Sequence, residues 1–377
     1  MLVSGTFSSF TRLRVIFPIV ILLFGILSCS KAPIRSVNPS TNIDTITSHR
    51  GVYVVDEGNF NWGNASVTYI DLTDTSVSEN VYYSANNSKP LGDVAEGMKI
   101  FNGLGFIVVN NSNKIEVVHL PSFTSYKTIT GFNSPRDIAF IDSSKAYVTN
   151  LLGNISVVDL NSFTITRSIN IPNWTEGIVK YGNKVFVSCL GKYTAPTSER
   201  KAKVIVIDAT LDKVVDSIAS GKDPVGIVID KREKIWVLCT GGVDNYEAPT
   251  LIRVNPDLLI AEKVFAFPDS KSSPSRLSIN TMGDTLYFLN NGVVQMPVTL
   301  PAIPSTPFIP ANGRLLYGLG IDPVNGNIFV SDAVDYVQIG KVYRYNQVNG
   351  ALLNSYAAGT IPGSFCFPKQ TTTGKIK

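Results

Sequence analysis

From residue 52 onward, apolar and polar positions recur in a unit repeated at intervals of about 40 to 50 residues, the spacing of propeller repeats. Its clearest line is a short apolar run ending on a polar or small residue. The run is found as Tyr53-Val54-Val55-Asp56, Ile107-Val108-Val109-Asn110, Tyr147-Val148-Thr149-Asn150 and Phe186-Val187-Ser188-Cys189. It returns as Trp236-Val237-Leu238-Cys239, Tyr287-Phe288-Leu289-Asn290 and Phe329-Val330-Ser331-Asp332, which makes seven copies. Upstream lies a second short apolar run, such as Val225-Gly226-Ile227-Val228-Ile229. Downstream comes a third, such as residues 155–159 or 204–208, and then a more variable fourth, such as 164–169. Runs of this length, rich in β-branched and aromatic residues and bounded by turn residues, predict strands. Four strands per repeat make a blade, so the pattern predicts an all-β fold: a seven-bladed β-propeller of four antiparallel strands per blade.

The first copy lacks an upstream strand, while a spare strand, Ser364-Phe365-Cys366-Phe367, follows the last copy. The C-terminal strand is therefore expected to become the innermost strand of the first blade and close the ring, because closure removes two exposed sheet edges.

Composition agrees with this reading. Hydrophobic residues make up 44% and charged residues 16% of the 377, with 29 Gly and 21 Pro, which suits short strands joined by turns. The net charge of +4 falls to roughly +2 once Arg12 and Arg14 are removed with a leader. Basic clusters such as Arg200, Lys201 and Lys203 are short and interrupted, whereas phosphate-backbone binding needs a continuous basic face. No nucleic-acid partner is expected.

Arg12 and Arg14 precede an apolar run over residues 15–27, which ends in Ile26-Leu27-Ser28-Cys29. The run is short for a span of ~20 residues and has the size of a signal-peptide core. Residues 1–28 are expected to be a lipoprotein signal peptide, with Cys29 as the lipidation site: the segment resembles the lipobox of bacterial lipoproteins, in which a small residue precedes the lipidated cysteine. Residues 29–50 are polar and read as a flexible tether, and residues 51–377 as the propeller. Lipid anchoring places the protein at the outer membrane. Surface-exported lipoproteins often carry acidic residues after the lipidated cysteine, where this chain has Ser30-Lys31-Ala32-Pro33; cell-surface display remains the preferred expectation over a periplasm-facing anchor.

Catalytic chemistry finds little support. Of two histidines, His49 lies in the tether and His119 takes a position held by Asp or Asn in sister repeats, a turn position. No Cys/His spacing suits zinc, and no His-based triad can be assembled. Cys189, Cys239 and Cys366 are expected as buried free thiols. Asp56, Glu57, Glu96, Glu176, Asp223, Asp244, Glu247 and Asp332 could meet across one face, where they could hold calcium or act as a lactonase site, but no blade supplies a clustered set. The expectation is a non-enzymatic, monomeric binding protein without cofactor or metal.

In a propeller, loops joining the second and third strands share a face with the blade-to-blade loops. Four second-to-third loops are long, at 57–64, 191–202, 241–248 and 333–339, and unequal loops are where repeat proteins place function. They carry Phe60, Trp62, Lys192, Tyr193, Tyr246 and Tyr336, and the blade-to-blade loops add Arg136, Trp174, Glu176, Lys222, Arg276 and Arg314. Aromatic rings give contact area at low entropy cost and guanidiniums give directed hydrogen bonds, as a large polydentate ligand needs. The alternative is that Trp62 and the tyrosines pack their own loops. The last residues of the second strands, Asp56, Asn110, Asn150, Cys189, Cys239, Asn290 and Asp332, form a ring on this face, either facing a ligand or capping strand ends.

Tyr147-Val148-Thr149-Asn150 reproduces the signature of the YVTN propellers. Together with Asp56-Glu57-Gly58-Asn59-Phe60 and Asn64-Ala65-Ser66-Val67, it makes the chain resemble the Bacteroidetes lipoprotein propellers grouped as DUF5074-like. The resemblance implies capture of a corrinoid such as vitamin B12, or of a ferric siderophore, and transfer to a TonB-dependent outer-membrane transporter. An anionic catechol siderophore would favour Arg136, Arg276, Arg314 and Lys192; a corrinoid would lean on Trp62, Trp174 and the tyrosines. A protein-interaction scaffold without small ligand and a lactonase-type hydrolase are the other classes.

Overall fold

The computed structural model describes residues 47–48, 51–191, 202–242, 247–368 and 370–371. The expected leader, Cys29 and most of the tether lie outside these residues, as do Lys192, Tyr193 and Tyr246. Among the described residues no helix is long and apolar enough to cross a membrane.

Seven four-stranded antiparallel sheets form the predicted propeller. Blade 1 is built from Pro362–Cys366, Gly51–Asp56, Ser66–Asp71 and Val77–Ser78, from the innermost strand outward. The C-terminal strand thus closes the ring as expected, with Tyr53 opposite Cys366 and Val55 opposite Ser364. Thr47–Ser48 also pairs with Gln370–Thr371, a second link between the two ends of the chain. Blades 2 to 7 begin with inner strands Ala95–Phe101, Pro135–Phe140, Trp174–Tyr181, Pro224–Ile229, Ser275–Ile279 and Leu316–Ile321. Each then runs outward in sequence order through three more strands.

The apolar runs that mark the repeat are the second strands, and their continuity has a cause. Alternate side chains of a strand face opposite sides of its sheet, and each blade is covered on both sides by a neighbour. In Lys145–Asn150, Tyr147 packs with Val185, Val187 and Cys189 of blade 4, while Ala146 and Val148 pack with Phe106, Val108 and Ile115 of blade 2. Seven such clusters fill the seven interfaces between adjacent blades, the seventh joining Val52 and Val54 of blade 1 to Phe329 and Val342 of blade 7. A strand buried on both faces needs apolar residues at every position.

The fourth strands cover nothing on their outer side and are mostly exposed, as in Lys213–Ala219. The polar residues closing the third strands make turns: Asp159, Asp208, Asn255 and Asn346 each accept two backbone N–H bonds through Oδ1 from residues two and three further on. His119, in the same column, is exposed, its ring beside that of Tyr126. The third strand of blade 6, which the repeat pattern left unmarked, is Gly292–Pro297, reached by a tight connection after Leu289. A short helix, Val81–Ala85, follows blade 1 and buries Tyr82.

Candidate functional site

All seven inner strands carry a register shift against their second strand at the same place. It lies between Ala95 and Gly97, Pro135 and Ile138, Thr175 and Ile178, Pro224 and Gly226, Ser275 and Ser278, Leu316 and Leu319, and Pro362 and Ser364. A bulge bends its strand and re-aims a side chain. The first residue of each bulge is, in turn, Glu96, Arg136, Glu176, Val225, Arg276, Tyr317 and Gly363. All but Gly363 line one cavity of about 840 Å³, joined there by Glu57 from the loop after the second strand of blade 1.

Two features of the sequence hold the bulges in place. The residues after them are often glycine, because neighbouring inner strands close together on the axis. A Cβ at Gly226 would lie 2.7 Å from Leu277 Cβ, and one at Gly318 would lie 2.9 Å from the Gly363 carbonyl. The penultimate hydroxyl of three second strands satisfies backbone groups freed by the bulge: Thr149 Oγ1 accepts from Asp137 N–H at 2.9 Å, Ser188 Oγ from Gly177 at 2.9 Å and Ser331 Oγ from Gly318 at 2.6 Å. Thr149 and Ser331 then donate to carbonyls of the next blade, Glu176 at 2.6 Å and Pro362 at 2.5 Å. Arg276 itself sits at φ +57°, a left-handed backbone that costs an ordinary residue of order 1–3 kcal/mol and is tolerated where surrounding structure fixes it.

Two guanidiniums and four carboxylates line the cavity; one of the four, Asp137, pairs with Lys99 at 2.6 Å. Arg136 donates from Nε to both oxygens of Glu176 at 3.0 and 2.9 Å and from Nη2 at 2.5 Å, and its Nη1 donates to Glu96. Arg276 donates from Nη2 to Glu57 at 2.8 Å and from Nε to the Tyr317 carbonyl at 3.0 Å, and lies 4.6 Å from the centre of the Tyr317 ring. The Tyr317 hydroxyl donates to the other oxygen of Glu57 at 2.7 Å. Burial works against the charges on both arginines, and the carboxylates beside them outweigh it, so both are held protonated. Burial pushes the Glu96 carboxyl up to about 8; Arg136 opposes the shift, and Glu57 and Glu176 add to it.

The rim belongs to loops. Phe60 and Trp62 are 66% and 70% exposed, so they do not pack their own loop. Asparagines hold it instead: Asn59 N–H donates to Asn64 Oδ1, Asn59 Nδ2 to the Tyr336 carbonyl, and Asn61 N–H to Asp93. Tyr336, 42% exposed, meets Tyr317 edge to face at 5.8 Å. Trp174 lines a neighbouring cavity of about 400 Å³ that shares Arg136, Glu176 and Val225 with the central one. Lys222 is buried, packed against Gly242. Arg314 stands apart, donating to the Tyr345 hydroxyl at 2.8 Å and stacked 4.2 Å from the centre of the Tyr343 ring in blade 7.

Four residues of the second-strand ring are bonded to other groups of the protein, some in their own turn and some further along the chain. Asn150 bonds its own turn and Ser156, Asn110 donates to the Pro135 carbonyl, Asn290 donates to Ser272, and Asp332 accepts from Leu315 and Val334. Asp56 is wholly buried, accepting from Ser66 and Thr68 through one oxygen. Cys189, Cys239 and Cys366 are buried free thiols, each pushed up to about 12 by burial. Among the described residues no group of three or more His, Cys, Asp and Glu is placed to hold a metal ion.

A closed seven-bladed propeller with a charged cavity at one mouth of its central channel defines the structural class. The chain belongs to the family described as Domain of unknown function (DUF5074), which it matches over residues 50–371. No curated protein matches its sequence. Among solved structures it is similar to a quinoprotein alcohol dehydrogenase-like protein of Bacteroides thetaiotaomicron, at 16% identity and a TM-score of 0.67, covering 85% of this chain and 78% of that one. It is also similar to a Bacteroides fragilis protein provisionally assigned as a 6-phosphogluconolactonase, at 12% identity and a TM-score of 0.60, covering 85% and 98%. Hydrazine synthase of Kuenenia stuttgartiensis gives 14% identity and a TM-score of 0.56, covering 72% and 89%. At these identities the likeness is one of fold.

Proposed function

We propose that this protein is a lipid-anchored outer-membrane binding protein that captures a corrinoid at the charged mouth of its channel and delivers it to a TonB-dependent transporter. The observation that carries the choice of ligand is the neutralisation of both channel arginines. A ferric tris-catecholate carries several negative charges and needs cations that the protein leaves uncompensated. Here Arg136 is held by Glu176 and Glu96, and Arg276 by Glu57. Arg314 keeps its charge, its partners Tyr345 and Tyr343 being neutral, but it does not line the cavity.

A corrinoid makes different demands. Its flat macrocycle carries a fringe of neutral amides, each both donor and acceptor, and a surface that alternates guanidinium, carboxylate and phenol groups can answer them. Phe60, Trp62 and Tyr336 add exposed rings at the rim for apolar contact. A cavity of about 840 Å³ falls within the ~300–1,000 Å³ of small-molecule sites. Because the carboxylates are occupied by guanidiniums rather than poised over an empty position, binding rather than hydrolysis is the activity this arrangement favours.

Isothermal titration of the soluble chain, residues 46–377, separates the readings. Saturable 1:1 binding of cyanocobalamin or cobinamide, with none of a ferric tris-catecholate, is expected. Binding of the ferric complex alone would overturn the choice of ligand, and binding of neither would overturn nutrient capture.

A further inference from the structure

Within the cavity the two arginines are not shared evenly among the carboxylates. Glu176 takes Nε and Nη2 of Arg136, and Glu57 takes Arg276 together with the Tyr317 hydroxyl. Glu96 holds only Nη1 of Arg136. With Asp137 paired to Lys99, the other three carboxylates against two guanidiniums leave one negative charge in excess, and Glu96 has the fewest donors of the three. Its side chain is 9% exposed, too buried for water to stabilise a spare charge cheaply.

We propose that Glu96 is the exchangeable group of the site: an acceptor oxygen of the bound ligand, such as an amide carbonyl, replaces Glu96 on Arg136 Nη1, and Glu96, where it is still ionised, takes up a proton as it is displaced. The proposal rests on the binding role given above and specifies how that site admits its ligand. Arg136 lines the cavity, and Glu176 holds its Nε and Nη2, so removing Glu96 leaves Nη1 as a donor without freeing the arginine. Blade 3 contributes Arg136, blade 4 Glu176, blade 6 Arg276 and blade 7 Tyr317, and the loop of blade 1 contributes Glu57. Deeper in the channel Lys99 pairs with Asp137 at 2.6 Å. Val225 and Ser364 are among the uncharged residues of the wall.

The sign follows from the exchange. Burial already lifts Glu96 to about 8, and loss of Arg136 in the complex lifts it further. Below pH 8 the carboxyl is protonated before the ligand arrives. Above pH 8 each binding event takes up a proton, so affinity falls by about tenfold per pH unit.

Two measurements test this. In ligand-free protein labelled with 13C at glutamate carboxyls, NMR titration is expected to show one side chain with a midpoint near 8 that is lost in Glu96→Gln; glutamates titrating only between pH 4 and 5 would overturn the proposal. Cyanocobalamin affinity is expected to be flat from pH 6 to 7.5 and to decline from 8 to 10 in the wild type, with no decline in Glu96→Gln. An equal decline in both proteins would also overturn it. Failure of cyanocobalamin to bind at any pH would overturn the corrinoid reading and the exchange with it, whereas binding that declines equally in both proteins would overturn the exchange alone.

Discussion

The hydroxyl of Thr149 donates a 2.6 Å hydrogen bond to the backbone carbonyl of Glu176 in the next blade, while accepting from Asp137 N–H in its own. One side chain thereby fixes two bulges, those that aim Arg136 and Glu176 into the channel. The geometry of the charged cluster is set by a buried hydroxyl outside it.

Replacing Thr149 by Val keeps shape and removes this bond. A buried donor and acceptor left unmatched cost about 1–3 kcal/mol, so Thr149→Val is expected to lower unfolding free energy by that amount, measured as a shift of the urea midpoint at unchanged slope. A control at exposed Thr210, in a surface turn, should change stability by less than ~0.5 kcal/mol.

Ring closure gives a larger effect. The strand Pro362–Cys366 hydrogen-bonds to Gly51–Asp56, and Phe365 and Phe367 pack on Phe329 of blade 7, at 6.0 and 5.4 Å between ring centres. Deleting residues 362–377 exposes an inner edge and two blade interfaces together. The loss is expected to exceed the ~5–15 kcal/mol that holds a typical domain folded. Circular dichroism on heating should show no cooperative transition for the truncated chain; an unchanged midpoint would refute closure as the source of stability.

Asp56 predicts a pH dependence. It is wholly buried, one oxygen bonded to Ser66 and Thr68 and the other without a partner. Burial raises its carboxyl from 3.8 to about 7, with those hydroxyls opposing. Between these values the folded chain binds the proton and the unfolded chain does not, so this group's contribution is fully present below pH 4 and is lost as pH rises to about 7. The slope is at most about 1.4 kcal/mol per pH unit. Asp56→Asn should remove it, read as a wild-type-minus-variant difference in unfolding free energy that shrinks between pH 4.5 and 7 and then levels off.

The fold was legible because the repeat writes the same physics seven times. Second strands such as Tyr147-Val148-Thr149-Asn150 are apolar on both faces, and Ser364-Phe365-Cys366-Phe367 stood out as a strand without a blade. The third strand of blade 6 was missed although Asn291-Gly292, a tight-turn dipeptide, separates it from Leu289. The site was half legible. Arg136, Arg276 and Glu176 were singled out, but with Arg314, whose place between Tyr343 and Tyr345 depends on how blades 6 and 7 meet. Tyr317 was overlooked because it sits inside an inner-strand pattern, where an aromatic reads as core. Its signal was the column it shares with Glu96, Arg136 and Glu176, just before Gly318 as Glu96 stands before Gly97 and Glu176 before Gly177. The hydroxyls at Thr149, Ser188 and Ser331 form a second column, hidden because the residues after them drew the attention.

Hydrogen–deuterium exchange of the soluble chain with and without saturating cyanocobalamin tests the central claim most directly, since it locates the ligand as well as detecting it. The account predicts slowed exchange in the segments around the channel mouth, at 57–65, 94–97, 134–137, 174–177, 274–277 and 315–318, with the rest of the propeller unchanged. Slowed exchange confined to the opposite face, around Phe140, Ile321 and Phe367, or no change anywhere, would contradict it.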